Sequence, residues 1–202
     1  MKRLKILNIY GGIGGNRKLW GDDHDITMVE LDTDIATIYQ DFFPRDKVIV
    51  GDAHQYLLDH FKEFDFIWSS PPCPTHSRLS IANIKAKVRY PDMKLYEEVL
   101  LLKHRFKGKY VVENVVSYYE PLIKPQELQR HYFWTNFYIT PKEFQSENTC
   151  TVNDRERLSK IFGFNLDGYA GIDKRKALRN CVLPELGLYI FEQSLKEQKA
   201  LI

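Results

Sequence analysis

The sequence contains no apolar stretch long enough to span a bilayer, and none near its start with the form of a secretion signal; Met1-Lys2-Arg3-Leu4 runs straight into a short strand-like segment. Cysteine is scarce. Cys73, Cys150 and Cys181 make an odd count in 202 residues, without metal-ligand spacing, so neither a disulfide framework nor a metal site is expected. No Gly-Lys-Ser/Thr follows a glycine turn, which excludes a Walker phosphate loop. Internal repeats, low-complexity tracts and linkers are missing, so one domain over residues 1–202 is expected. A bulk excess of one charge is missing too, since 29 Lys and Arg stand against 27 Asp and Glu. With 44% hydrophobic and 28% charged residues, an ordinary soluble globular class remains. A reducing cytoplasm is the expected setting, in which a free thiol at Cys73 survives.

Strand-like and helix-like segments alternate through the first half. Strands are expected at Lys5–Ile9, Ile26–Glu30, Lys47–Val50, Phe64–Trp68 and Tyr110–Val112. Between the second and third, Asp32 or Asp34 caps a helix with Ile35, Ile38, Tyr39 and Phe42 on one face, and Pro44 helps to end it. Further helices are expected at His54–Phe61 and Asp92–Phe106. Pro71 to about Tyr90 is a long connection without period, of the length common in functional lids. The second half reads as a strand at Tyr132–Ile139 and helices at Arg155–Phe162 and Leu183–Gln198. Strands separated by helices imply an α/β fold with a mostly parallel sheet and helices on both faces. Ligands in such sheets bind beyond the carboxyl ends of the strands, and the chemistry-bearing residues fall there.

The first strand ends in Gly11-Gly12-Ile13-Gly14-Gly15. A dinucleotide fingerprint counted from Gly12 and Gly14 needs a third glycine where Arg17 stands, so it fails. Glu30 at the second strand end suits ribose hydroxyls, and Asp52 after the third suits an adenine amino group. A nucleoside ligand without pyrophosphate fits this set, and S-adenosylmethionine is one. Ser70-Pro71-Pro72-Cys73 and Val112-Glu113-Asn114-Val115 each follow a buried-strand pattern. A cysteine and a carboxylate at neighbouring strand ends suit covalent attack on an electron-poor ring such as cytosine, with the carboxyl holding the ring nitrogen. Asn114 is placed to hold the loop shape. Between Arg78 and Lys109, nine Lys and Arg face three Asp and Glu, which makes either a solvated face or a patch that follows a phosphate backbone.

In order along the chain, these segments resemble the motifs of the DNA (cytosine-5-)-methyltransferase family. Ile9-Tyr10-Gly11-Gly12-Ile13-Gly14-Gly15 is similar to the first motif, with tyrosine where phenylalanine is usual. Glu30, Gly51-Asp52, Pro71-Pro72-Cys73 and Glu113-Asn114-Val115 match the second, third, fourth and sixth, and Leu95 falls at the fifth. Gln129-Arg130-His131-Tyr132-Phe133-Trp134-Thr135-Asn136 resembles the eighth, Phe162-Gly163-Phe164 closes a segment like the ninth, and Arg179-Asn180-Cys181-Val182 resembles the tenth. The resemblance implies a Rossmann-like class I S-adenosylmethionine-dependent methyltransferase fold. It places the cofactor against Tyr10, Gly12, Ile13, Gly14, Gly15, Glu30, Leu31, Asp52, Ala53, Pro72, Leu95, Asn180 and Val182. It makes Cys73 the nucleophile at carbon 6 of a cytosine flipped from duplex DNA, with Glu113 and either Arg130 or His131 at the ring. Ser77, Arg78, Lys85, Lys87 and Arg89 are the expected DNA contacts, in a loop that closes over the extruded nucleotide. A bacterial cytoplasm, or a phage gene expressed in one, with a role in restriction-modification, fits the family.

Three departures qualify this expectation. Pro74 stands where many members carry a glutamine that fills the space of the flipped base. Gln129 and His131 occupy positions of two arginines in the eighth motif. The recognition region between the eighth and ninth motifs is reduced to about residues 137–155, too short to bury a core of its own. Direct base readout is therefore minimal, with a short or relaxed sequence preference, or falls to another segment (Thr75–Tyr90 or Ser117–Gln129), a separate recognition subunit or a second copy of the chain. A non-catalytic cofactor- and DNA-binding module is the alternative from another class, and RNA is the alternative substrate.

Overall fold

The computed structural model describes residues 2–78, 90–144 and 154–196. Lys85, Lys87 and Arg89 of the expected DNA-contacting loop lie outside the described residues. Those described form a seven-stranded sheet in the order β3-β2-β1-β4-β5-β7-β6. The strands are β1 (Lys5–Ile9), β2 (Asp25–Glu30), β3 (Lys47–Val50), β4 (Phe66–Ser69), β5 (Lys109–Val115), β6 (Gln126–Leu128) and β7 (His131–Thr135). The first five are mutually parallel, whereas β7 runs antiparallel to both β5 and β6. A mostly parallel sheet with helices packed on both faces is the Rossmann-like α/β architecture that the sequence led us to expect, although the strand order itself was not.

Successive side chains of a strand point to opposite faces, so the central strands feed two cores. Leu7, Ile67 and Val112 pack with Leu57, Val99 and Leu102, from α2 (Ala53–His60) and α3 (Lys94–Arg105). Their neighbours Ile6, Phe66, Trp68 and Val111 pack on the other face with Leu186, Ile190 and Phe191 of α6 (Pro184–Leu195). Also away from the first cluster, Met28 packs among residues of α1 (Thr33–Phe42), α4 (Arg155–Phe162) and α5 (Lys174–Arg179). Asp32 caps α1, accepting from the amides of Asp34 and Ile35, while Asp34 sits in its first turn. Among the described residues no helix is long and apolar enough to cross a membrane.

Four boundaries differ from expectation in ways that bear on the site. β4 starts and ends later, at Phe66 and Ser69. β5 continues to Val115 because β7 pairs with it that far, so Glu113 lies inside a strand rather than after one. β7 stops at Thr135. The elements β6 and α5 were not expected at all. Arg17, which breaks the dinucleotide fingerprint, is buried in an ion pair with Asp46, Nε to Oδ2 2.9 Å, and Tyr39 donates to the same carboxylate at 2.7 Å. The glycine turn is thus anchored from below by a charge pair.

Candidate functional site

Two hollows meet at the carboxyl ends of the parallel strands. The smaller, about 290 Å3, is lined by Gly12 and Ile13 of the glycine turn, Glu30 of β2, and the Gly171–Ala177 side including Lys176, with Asn180 beyond. Gly12 has φ +54, and a Cβ there would meet nothing within 4 Å. The turn therefore presents bare backbone to open space, as a cradle for a close-fitting ligand requires. Gly15 is closed from behind, since a Cβ would stand 2.6 Å from Cys181 Cβ and 2.7 Å from the Val182 carbonyl oxygen. The segments like the first and tenth motifs are in contact there. Gly14, at φ +89, is pressed against the Phe43 ring in the same way.

Glu30 has a structural task in addition to the expected one. Its Oε2 accepts from the Gly12 amide at 3.1 Å, and Oε1 accepts from Leu31 at 2.9 Å and Asp32 at 3.3 Å. It fixes the glycine turn to the end of β2 and has acceptor capacity to spare for ribose hydroxyls. Asp52 caps α2, accepting from His54 and Gln55, and the Gln55 amide leads in holding its carboxyl below the usual range. Leu31 is 72% exposed at the rim, an apolar side chain left uncovered. Pro72 is exposed, whereas Ala53, Leu95 and Val182, expected at the cofactor, are buried in the core.

Beneath this hollow lies a carboxylate that sequence reasoning missed. Glu98 of α3 is fully buried. Its Oε1 accepts from the Tyr10 hydroxyl at 2.7 Å and lies 3.0 Å from His54 Nδ1, while Oε2 accepts from the Ser69 hydroxyl at 2.5 Å. One side chain ties together the ends of β1 and β4 and the start of α2. Tyr10 adopts φ +55, a conformation uncommon for a bulky residue, and its bond to Glu98 holds it there.

The larger hollow is a cleft of about 1230 Å3 that contains Cys73, Ser77, Arg78, Arg130 and His131. The Pro-Pro-Cys turn is held in two ways. Asn114 Nδ2 donates to the Pro71 carbonyl at 2.9 Å, and the Cys73 carbonyl accepts from the amides of His76 and Ser77, both at 3.0 Å. Burial, with the Glu113 charge second, raises the Cys73 thiol pKa. His131 Nδ1 stands 2.6 Å from Glu113 Oε1, both side chains being largely buried. Arg130 is exposed, and its carbonyl accepts from the Val116 amide at 3.2 Å. So of the two candidates for the missing arginine, His131 is the one bonded to Glu113. The chemistry available in the cleft is a thiol, an imidazole backed by the buried Glu113 carboxylate, and a cationic rim. The cleft adjoins a nucleoside-sized hollow, with Asp173, Lys176 and Asn180 lining both.

The cleft also contains residues that were not expected in the site, although Arg179 and Cys181 belong to the segment like the tenth motif. Arg175, Lys176 and Arg179 of α5 line the cleft, as does Cys181, whose thiol is pushed up to about 12 by burial. Of the expected DNA contacts that are described, Ser77 and Arg78 lie in it.

No protein-family model matches the chain. It is 22% identical over 124 residues to the tRNA (cytosine(38)-C(5))-methyltransferase of Rattus norvegicus; that stretch is 58% of this chain and 32% of the relative. The chain therefore spans about a third of the length of the curated relative it matches. Among solved structures, it is similar to a Spodoptera frugiperda DNMT2 variant, with 26% identity over 55% of this chain and 35% of that one and a TM-score of 0.39. It is also similar to the putative methyltransferase YhhF from Escherichia coli, with 14% identity over 65% and 74% of the two chains and a TM-score of 0.42.

Proposed function

We propose that this chain transfers a methyl group from S-adenosylmethionine to carbon 5 of a cytosine in DNA, as a single catalytic domain. The observation that carries this reading is one cleft lined by Cys73 and by His131, whose ring is bonded to the buried Glu113, next to a hollow under the glycine turn. Gly12, Ile13, Glu30 and Asn180 would hold the cofactor, with Leu31 against an apolar ring face. The bare backbone at Gly12 and the spare acceptors of Glu30 fit such a group. When bound, it supplies an electrophilic methyl on a sulfonium.

Cys73 passes its proton to Glu113 and adds through sulfur to carbon 6 of the flipped base, while Glu113 donates that proton in a hydrogen bond to nitrogen 3, which makes carbon 5 nucleophilic. Carbon 5 would then face the methyl donor held by Gly12, Ile13, Glu30 and Asn180, which would supply the methyl group and leave as the neutral thioether. Loss of the carbon 5 proton to solvent restores the ring double bond and expels the Cys73 thiolate. His131 keeps Glu113 in place through Nδ1, and a ring carrying both protons would have its Nε2–H left to donate to the cytosine oxygen. With residues 137–155 so short, base selection falls to a recognition subunit or a second copy of the chain.

The rat relative favours a second reading, in which the cytosine is in RNA. Both are tested by offering labelled S-adenosylmethionine with duplex DNA and with transfer RNA, then repeating with 5-fluorocytosine in each. The expected result is label in one polynucleotide and a covalent adduct that is lost in Cys73→Ala. Cofactor binding with neither label nor adduct would leave only a binding module.

A further inference from the structure

The short helix α5 brings Arg175, Lys176 and Arg179 into the cleft that holds Cys73 and His131. Behind it, the carboxylate of Asp154 is excluded from solvent. Arg175 Nε donates to its Oδ1 at 2.9 Å and Arg179 Nη2 to its Oδ2 at 3.4 Å. The two arginines are four residues apart on one helix face, where like charges repel. One buried carboxylate between them offsets that repulsion and fixes both side chains. Burial pushes the Asp154 pKa up, but Arg175 and Arg179 outweigh it and hold the carboxyl below the usual range. Arg179 also keeps a buried Nε that has no hydrogen-bond partner among the described residues, a donor without an acceptor. Lys176 is exposed, and it lines the nucleoside-sized hollow as well as the cleft.

We propose that α5 is a phosphate-docking wall: Arg175, Lys176 and Arg179 engage the sugar–phosphate backbone of the polynucleotide beside the flipped base. The inference rests on the reading of this chain as a polynucleotide methyltransferase and says how that substrate is held. Phosphate contacts supply most non-specific affinity and carry no sequence information, which suits a chain with so little recognition segment. Arginine forks fixed by Asp154 suit phosphate oxygens, and a lysine adds a point charge.

The test is binding, without chemistry. Fluorescence anisotropy is measured over a range of salt with an A·T-only DNA duplex, an A/U-only RNA hairpin, and cytosine-containing versions of both. Lys176→Gln is expected to weaken binding equally for probes with and without cytosine, and to reduce the salt slope by about one. Arg175→Gln with Arg179→Gln should reduce it further, and whichever nucleic acid binds more tightly identifies the substrate. Lys47→Gln, at the exposed amino end of β3 and outside both the cleft and the basic stretch from Arg78 to Lys109, should keep the wild-type slope. Lys176 is exposed and its capping bond uses the backbone amide, so this variant is expected to melt like the wild type. Salt-dependent binding with unchanged slopes in the α5 variants overturns the wall and leaves the proposed activity standing. An equal loss in Lys47→Gln also overturns it. A wild type that binds no polynucleotide overturns both.

Discussion

His131 reaches Glu113 diagonally across an antiparallel pair: it sits opposite Val115, two residues along β5, and its Nδ1 lies 2.6 Å from Glu113 Oε1. Diagonal neighbours on one face of a sheet are within reach of a long side chain. With Glu113 ionised, Nδ1–H donates, and the ring is held at a fixed angle. Hydrogen bonds to charged groups are worth about 1.5–3 kcal/mol, which is about 10- to 150-fold in rate. His131→Ala is expected to slow single-turnover methyl transfer by that factor, with cofactor affinity unchanged. Glu113→Gln should slow it by about 10²–10⁴-fold, the usual range for a positioned acid or base. Equal rates in wild type and His131→Ala would remove the pair from the reaction.

Asn114 links the same strand to the nucleophile's turn. Its Nδ2 donates to the Pro71 carbonyl, and its Oδ1 accepts from the Val115 amide at 3.0 Å. Asn114→Ala strands the Pro71 carbonyl, a cost of about 1–3 kcal/mol. At about 2–4 °C per kcal/mol for a domain of this size, the melting temperature should fall by several degrees. Asn114→Asp retains the acceptor but loses the donor, so it should destabilise similarly. A melting curve like the wild type's would mean that Asn114 is an ordinary strand residue.

Much of this was legible in the sequence because it is local. The apolar runs before Gly11, Pro71 and Glu113 mark parallel strands, and each run ends on the residue type its ligand needs. What escaped was non-local. Glu113 lies within β5 only because β7 pairs as far as Val115. Glu98 sits in an amphipathic helix, where a carboxylate normally faces water, and only the packed fold shows it meeting Tyr10, His54 and Ser69. The helix α5 is short and basic, and Ala177 and Leu178 are its only buried residues, so it offers no helical period. The hollow's second wall, from Gly171 to Asn180, is brought to the glycine turn by tertiary packing alone.

The two described thiols of the cleft should behave differently with pH. Burial and then Glu113 raise Cys73 above an ordinary thiol, while Cys181 is pushed up to about 12. Alkylation by iodoacetamide, followed peptide by peptide, should rise with pH at Cys73 with a midpoint above 9.0, the ordinary thiol value. Cys181 should stay unmodified over that range. Removing the negative charge in Glu113→Gln lowers the Cys73 pKa, so alkylation at neutral pH speeds up while methyl transfer slows. Both rates falling together would contradict the proposed cause.

Two glycines separate folding from ligand binding. At Gly15 a Cβ meets backbone of Cys181 and Val182, which cannot yield easily, so Gly15→Ala is expected to cost about 1–3 kcal/mol by overpacking. At Gly12 the Cβ enters open space in the hollow, at a strain of about 1–2 kcal/mol for a left-handed alanine. Calorimetry with S-adenosylmethionine should show Gly12→Ala losing affinity beyond what its modest stability loss explains. Full affinity in Gly12→Ala would move the cofactor elsewhere.

The buried cluster under that hollow gives stability a pH dependence of known sign. The bond to Glu98 leads in raising the His54 pKa, with the Glu98 and Glu97 charges also contributing. A histidine with a raised folded-state pKa contributes stability that is fully present below its unfolded value of about 6.5. That contribution is lost as pH rises through the folded value. Above it, Glu98 is left with neutral donors alone, the Tyr10 and Ser69 hydroxyls and an uncharged His54 ring, and the Tyr10 hydroxyl, raised by burial and Glu98, stays protonated. In urea unfolding across this range, the gap between wild type and His54→Gln should therefore be widest on the acid side and narrow as pH rises. A gap that is constant with pH would show that His54 is neutral throughout and that Glu98 is held without it.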